Sequence, residues 1–174
     1  MGASGSGTTT LGIHLATKLN WEHLDVDDYY WEKTYPPFQL KVPFEKRKQT
    51  LSSNFEASDH TIISGSLVSW GEEWKTAFDL IIFLSLEHDI RMSRLKTREH
   101  ERYGEQLELD ETIKKQSTDF LEWAAKYDDP SFDGRSLRIH EAWLNEISCL
   151  VLRLSSSEDV SSLRKKALEI ILKL

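Results

Sequence analysis

The spacing of apolar residues divides the chain into helical and strand-like stretches. Leu11, Leu15 and Leu19 recur every four residues with Ile13 and Ala16 beside them, which predicts an amphipathic helix over 9–19, ended by Asn20. Residues 21–26 read as a short strand that runs into the carboxylates Asp25, Asp27 and Asp28. A helix over 44–57 is opened by Pro43, with Phe44, Lys48, Leu51 and Phe55 near one stripe and Arg47 on another face. The runs 61–63 and 80–84 are short, rich in β-branched residues and nearly continuous in apolar character, as in parallel strands covered on both faces. Between them, residues 70–74 form a turn and a short helix.

The second half is mostly helical in pattern. A helix over 87–103 offers Ile90, Met92 and Leu95 to the core and spaces Arg91, Arg94, Arg98 and Arg102 by three or four, along one side. That row reads either as an anion-binding face or as a solvated face balanced by Glu87, Glu99 and Glu101. Gly104 follows, where a mobile segment can begin. Asp110 is the predicted N-cap of a helix reaching Tyr127 and stopped by Asp128, Asp129 and Pro130. A further helix carries Arg135, Arg138, His140 and Trp143. Residues 150–154 are the last strand, and Ser155, Ser156 or Ser157 is expected to cap a final helix with Val160, Leu163, Ala167, Ile170 and Ile171 as its core stripe. Strands interleaved with helices imply an α/β domain with a mostly parallel sheet, and no repeat or linker divides residues 1–174.

Composition narrows the partners. Hydrophobic content of 39% and charged content of 29% suit a soluble globular chain, and no apolar run is long enough to span a membrane, so a cytoplasmic protein is expected. A net charge of −7 argues against non-specific binding to nucleic acid, which relies on basic surface. The lone Cys149 sits in an apolar run and is expected to be a small buried side chain. Residues 29–43 hold Tyr29, Tyr30, Trp31, Tyr35 and Phe38 among prolines, without a period. They form either an ordered loop over a pocket or a packed surface loop, and Tyr29, Tyr30, Trp31 and Trp70 either stack a base or pack the pocket wall.

The first ten residues carry the sharpest chemistry. Gly2, Ser4, Gly5, Ser6, Gly7, Thr8, Thr9 and Thr10 make a glycine-rich turn that leads straight into the 9–19 helix. Such a turn aims successive N–H groups into one hollow at a helix N-terminus, where phosphate binds. A flexible terminus would account for Gly2 to Gly7 but not for the threonine run and the helix behind it. The pattern G-x-x-x-x-G-K-[ST] is met at Gly2, Gly7 and Thr9, with Thr8 in the place of the lysine that reaches the β- and γ-phosphates.

Gly2 to Leu11, then Leu24-Asp25-Val26-Asp27-Asp28, then Asp79 before a buried strand, then Arg91-x-x-Arg94-Leu95-x-x-Arg98, together resemble the P-loop small-molecule kinases: adenylate, shikimate and gluconate kinase. The resemblance spans nearly the whole chain in motif order. It implies a three-layer α/β/α fold with a lid-like helical segment at about 98–140. It also implies ATP and Mg²⁺ as cofactors and transfer of the γ-phosphoryl group to a nucleotide or a hydroxylated metabolite. On this resemblance Gly5, Gly7, Thr8 and Thr9 line the triphosphate, and Thr9 helps hold Mg²⁺. Asp25 and Asp27 lie near the metal and the accepting hydroxyl, and Arg98 packs by the adenine ring. Arg102, Arg135 and Arg138 close on phosphate, while Arg47 and Ser64-Gly65-Ser66 face the acceptor. For Asp25 a plain capping role at the strand end is the alternative.

Two departures from the family pattern matter. With Thr8 for lysine, the alternative function is a nucleotide-binding regulator with little kinase activity; a third reading, an interaction module built on the aromatic loop, fits the acidic charge less well. The loop of the family follows a central strand lying between the strands placed here at 61–63 and 80–84, whereas Met1 alone precedes Gly2. Two unpaired inner edges are therefore expected, and a natural start upstream of Met1.

Overall fold

The computed structural model describes residues 1–174, and its element order is set first by α1 (Thr8–Leu19), in which Leu11, Leu15 and Ala16 are buried. There follow β1 (Glu22–Asp25), α2 (Val26–Tyr30), α3 (Phe44–Glu56), β2 (Thr61–Ser64) and β3 (Leu80–Ser85). The remainder is α4 (His88–Tyr103), α5 (Gln106–Leu109), α6 (Glu111–Ala125), α7 (Leu137–Leu144), β4 (Leu150–Ser155) and α8 (Val160–Ile171). Single 3-10 turns occur at Glu72–Lys75 and Lys126–Asp128.

Both strand pairs are parallel: β1 lies beside β2, with Leu24 opposite Ile63, and β3 beside β4, with Ile82 opposite Leu152. Alternate residues of β3 face opposite ways, as the pleat requires. Ile81 and Phe83 join Leu24, Leu51, Trp74 and Trp143 in one apolar cluster, while Leu84 joins Leu11, Leu15, Leu154, Leu163 and Ala167 in another. Helices therefore cover both faces of the strands, which is the three-layer α/β/α arrangement.

The strands β2 and β3 do not pair. A cavity of about 1050 Å³ separates them, walled by Leu11, Ile62, Ile63, Ile81, Ile82 and Leu84 among others. This slot is where the sequence places the family's central strand. Met1 and Gly2 run along its β3 side: the Leu84 N–H donates to the Met1 carbonyl at 2.8 Å, and Gly2 bridges Leu84 in parallel. The glycine-rich loop thus leaves from the C-terminal end of β3, where open α/β sheets bind their ligands.

Several sequence expectations are corrected in detail. Val26 to Tyr30, expected as strand end and loop, form the one-turn helix α2, because the Asp25 carboxylate accepts the Asp27 N–H at 3.0 Å and caps it. The cap of α8 is Asp159 rather than a serine; its carboxylate accepts from both Ser161 and Ser162, which one hydroxyl does less well. Asp110 caps α6 as expected. Cys149 is only half-buried, and Ile90, expected in the core, is 43% exposed.

The place expected for Ile90 is taken by Arg91, which is fully buried. Its guanidinium donates to the Ala124 carbonyl and to Asp128, both at 2.8 Å, and so ties α4 to the end of α6. Arg91→Ala strands that carbonyl and opens a hole, so a loss of about 3 kcal/mol is expected. In a thermal melt this reads as a fall of roughly 6–12 °C for a chain of this size.

Candidate active site

The loop is built to meet an anion. Gly7 is the N-cap of α1 in left-handed backbone (φ 85), and no side chain caps the helix. The first-turn N–H groups of Thr8, Thr9 and Thr10 are therefore unclaimed and point into the loop's hollow. Gly5 packs on Arg91 and Leu95 of α4, where a Cβ would stand 3.0 Å from the Leu95 side chain. Gly2 lies so close to β3 that a Cβ would come within 2.5 Å of the Leu84 carbonyl. These contacts seat the loop on β3 and α4, and its uncapped N–H groups suit phosphate oxygens. For Mg²⁺, the Thr9 hydroxyl and the Asp25 carboxylate are hard oxygen donors of the right class. No three His, Cys, Asp or Glu side chains converge on a self-sufficient cage.

Asp25 ends β1 with both oxygens engaged: Oδ1 accepts from the Asp27 N–H and Oδ2 from the Ser64 hydroxyl at 3.0 Å. Ser64 is also 3.1 Å from His23 Nε2, so the capping alternative for Asp25 describes its contacts. Each of its oxygens keeps one lone pair. Asp27, the second residue of α2, has no side-chain partner of its own. Its carboxyl opens to solvent but sits in a recess, and loss of hydration there, followed by the charge of Asp25, raises its pKa above the usual carboxylate value. Arg135, Arg98 and Arg102 act on it in the opposite sense. The charges of three guanidinium groups thus reach this carboxylate without an ion pair to any of them.

Those arginines are held differently. Arg102 pairs with the buried Glu99 at 2.7 Å and lies 4.2 Å over the Phe38 ring. Tyr103 donates to the Pro37 carbonyl, so the aromatic segment packs on the end of α4. Arg98 lies 5.8 Å over the Phe120 ring; burial, then Arg102, lowers its pKa, with Glu99, Asp27 and Asp25 acting in the opposite sense. Arg94 instead reaches Ser156, donating to its carbonyl at 3.2 Å, beside Gly7. Arg138 is exposed and tied to the Pro130 carbonyl and Asp133, so it is not brought to the loop. Arg135 is: its Nη2 donates to the Ser4 hydroxyl at 3.0 Å.

On the opposite wall, Arg47 of α3 lies 4.1 Å over Tyr30 and 5.2 Å over Trp70, with no carboxylate partner. These two rings are packing for a cation. Gly65 passes so close to α2 that a Cβ would stand 2.7 Å from Val26 Cβ. Ser66 is buried, 2.9 Å from His140 Nε2, and the other ring nitrogen of His140 meets the Tyr127 hydroxyl at 2.8 Å. Burial first, then Arg135 and the amino-terminal charge, push His140 down to about 3, so the ring is neutral.

No protein-family profile matches the chain. It is 38% identical over 161 residues to the "Uncharacterized protein YqaC" of Bacillus subtilis (strain 168), covering 92% of this chain and 89% of that one. The chain belongs to the YqaC family. A 43-residue stretch of this YqaC-family chain, a quarter of its length, is 54% identical to a "Probable gluconokinase" of Mus musculus, of which it covers 23%. Shikimate kinase from Bacteroides thetaiotaomicron superposes with a TM-score of 0.61 at 21% identity, over 100% of this chain and 96% of that one. The chain therefore has the fold of shikimate kinase, an α/β fold with parallel strands, as the sequence resemblance implies.

Sequence reasoning did not foresee Arg94 with Ser156, nor the chain Ser66–His140–Tyr127. Arg94 was visible as one of four evenly spaced arginines, and only packing against the β4–α8 connection distinguishes it. His140 carried no local signal at all.

Proposed function

We propose that this protein is a cytoplasmic, ATP-dependent small-molecule kinase that passes the γ-phosphoryl group to a hydroxyl of a nucleotide or a hydroxylated metabolite. The observation that carries this reading is the loop itself: α1 opens on left-handed Gly7 with no side-chain cap, Arg135 donates to Ser4 of the same loop, and Asp27 near by has no side-chain partner. The loop N–H groups of Thr8 to Thr10 bind the phosphate chain, and Thr9 with Asp25 holds Mg²⁺, which when bound neutralises phosphate charge. Asp27 accepts the proton of the acceptor hydroxyl as its oxygen attacks phosphorus and the bond to the β-phosphate oxygen breaks, releasing ADP. Arg98 and Arg102 sit on the segment 98–140, which serves as the lid. Arg47 and the Ser64-Gly65-Ser66 turn face the acceptor, and the 2.9 Å contact with neutral His140 holds the Ser66 hydroxyl.

The test is ADP release from ATP and Mg²⁺ across a panel of nucleoside monophosphates, sugars, sugar acids and other small hydroxy acids. Turnover with one class and not the others supports the kinase and names its acceptor. ATP binding with no turnover on any of them would make the protein a nucleotide-binding regulator instead.

A further inference from the structure

Thr8 leaves the phosphate loop without a cation of its own, and most guanidinium groups nearby are already committed. Arg91 is spent on Ala124 and Asp128, Arg94 on Ser156, Arg102 on Glu99 and Arg138 on Pro130 and Asp133. Arg98 makes no contact with the loop. Arg135 does, although Ser4 and Arg135 lie 131 positions apart. Its guanidinium stacks 4.8 Å from the Trp123 ring, which holds the plane, and of its five N–H donors the protein uses one. Loss of hydration disfavours its charge there and Asp27 restores it in part. A half-satisfied cation fixed against a phosphate loop is a site prepared for anionic oxygen.

We propose that Arg135 takes over, from outside the loop, the role of the lysine that Thr8 replaces. This deepens the kinase reading and rests on it. Because Arg135 belongs to the segment between α6 and α7, the phosphate site is complete only when that segment is docked on Ser4, so lid position and nucleotide binding are coupled.

The two positions then act on the same oxygens, and their substitutions must be non-additive. Equilibrium binding of ATP, ADP and AMP is to be followed by tryptophan fluorescence in the wild type, Arg135→Ala, Thr8→Lys and the double variant. Arg135→Ala is expected to weaken ATP by about 10- to 100-fold and ADP by less, with AMP unchanged. Thr8→Lys should recover a larger share of the ATP affinity in the Arg135→Ala background than it adds to the wild type. Arg135→Lys, which keeps the charge, should retain part of the affinity, and an unchanged melting temperature in it separates charge from folding. Equal gains from Thr8→Lys in both backgrounds, or ATP affinity indifferent to Arg135→Ala, overturns the proposal and leaves the kinase reading standing. A wild type that binds no nucleotide overturns both.

Discussion

Asp27→Asn should lower kcat by about 10²- to 10⁴-fold, the range for removing a positioned general base, while ATP affinity stays near that of the wild type. Asparagine keeps the size of the side chain and the α2 turn, since the capping group is Asp25 and the Asp27 N–H is unchanged. It removes only the proton acceptor and one negative charge on which three guanidinium charges act. The wild-type pH profile should rise with pH on its acid side, because Asp27 must be ionised to accept the proton. The midpoint of that limb should lie above the ordinary carboxylate range, since burial and Asp25 both raise the pKa. In Asp27→Asn the limb should vanish along with the rate. An intact limb, or a kcat within a few-fold of the wild type, would remove Asp27 from the chemistry and leave it a surface acid on α2.

The second large effect is on stability in acid. His140 is fully buried between Ser66 and Tyr127, and its pKa falls from 6.5 to about 3 on folding. Between those values the unfolded chain binds the proton and the folded chain does not. The contribution is therefore complete above pH 6.5 and is lost progressively as the pH falls toward 3. At about pH 4.5, two pH units into that window, the loss is about 3 kcal/mol at 1.36 kcal/mol per unit. For a chain of this length the melting temperature should drop by roughly 6–12 °C from this group alone. His140→Gln leaves polar partners for Ser66 and Tyr127 but cannot titrate. It should start less stable at neutral pH and lose correspondingly less on acidification. The measurement is the difference between the two melting curves at pH 7 and pH 4.5; an equal acid loss in both proteins would show that His140 is not the group responsible.

The two results concern one region. His140 touches the turn that follows β2, and Arg135, five residues before it, touches the loop that precedes α1. Proton uptake by His140 would place a second charge near Arg135, so acid should loosen the Arg135–Ser4 contact that the proposed phosphate site uses. Side-chain contacts tie residues 124–140 to the rest of the chain: Arg91 to Ala124 and Asp128, Arg135 to Ser4, and His140 to Ser66.

Much of this was legible locally. Leu11, Leu15 and Ala16 announce α1, the Gly2 to Thr10 run announces the tight turn with left-handed Gly5 and Gly7 at its start, and Asp110 announces the cap of α6, because each depends on residues within a turn or two. The helix α2 was not legible, since five residues carry no period and the deciding contact is a single Asp25 oxygen. The cap of α8 went to Asp159 over three neighbouring serines because β4 extends through Ser155. The arginines mark the boundary most clearly. Helical spacing puts Arg91, Arg94, Arg98 and Arg102 on related faces but cannot say which will be buried on a carbonyl, which will meet Ser156 and which will lie over the Phe120 ring. The sequence by itself determined that a glycine-rich turn leads into the first helix of an α/β fold and that acids and arginines accompany it, because backbone conformation and periodicity are short-range. Only the tertiary structure decided which guanidinium reaches the loop, because burial and charge pairing are set by residues such as Ser4 and Arg135 that meet across the whole chain.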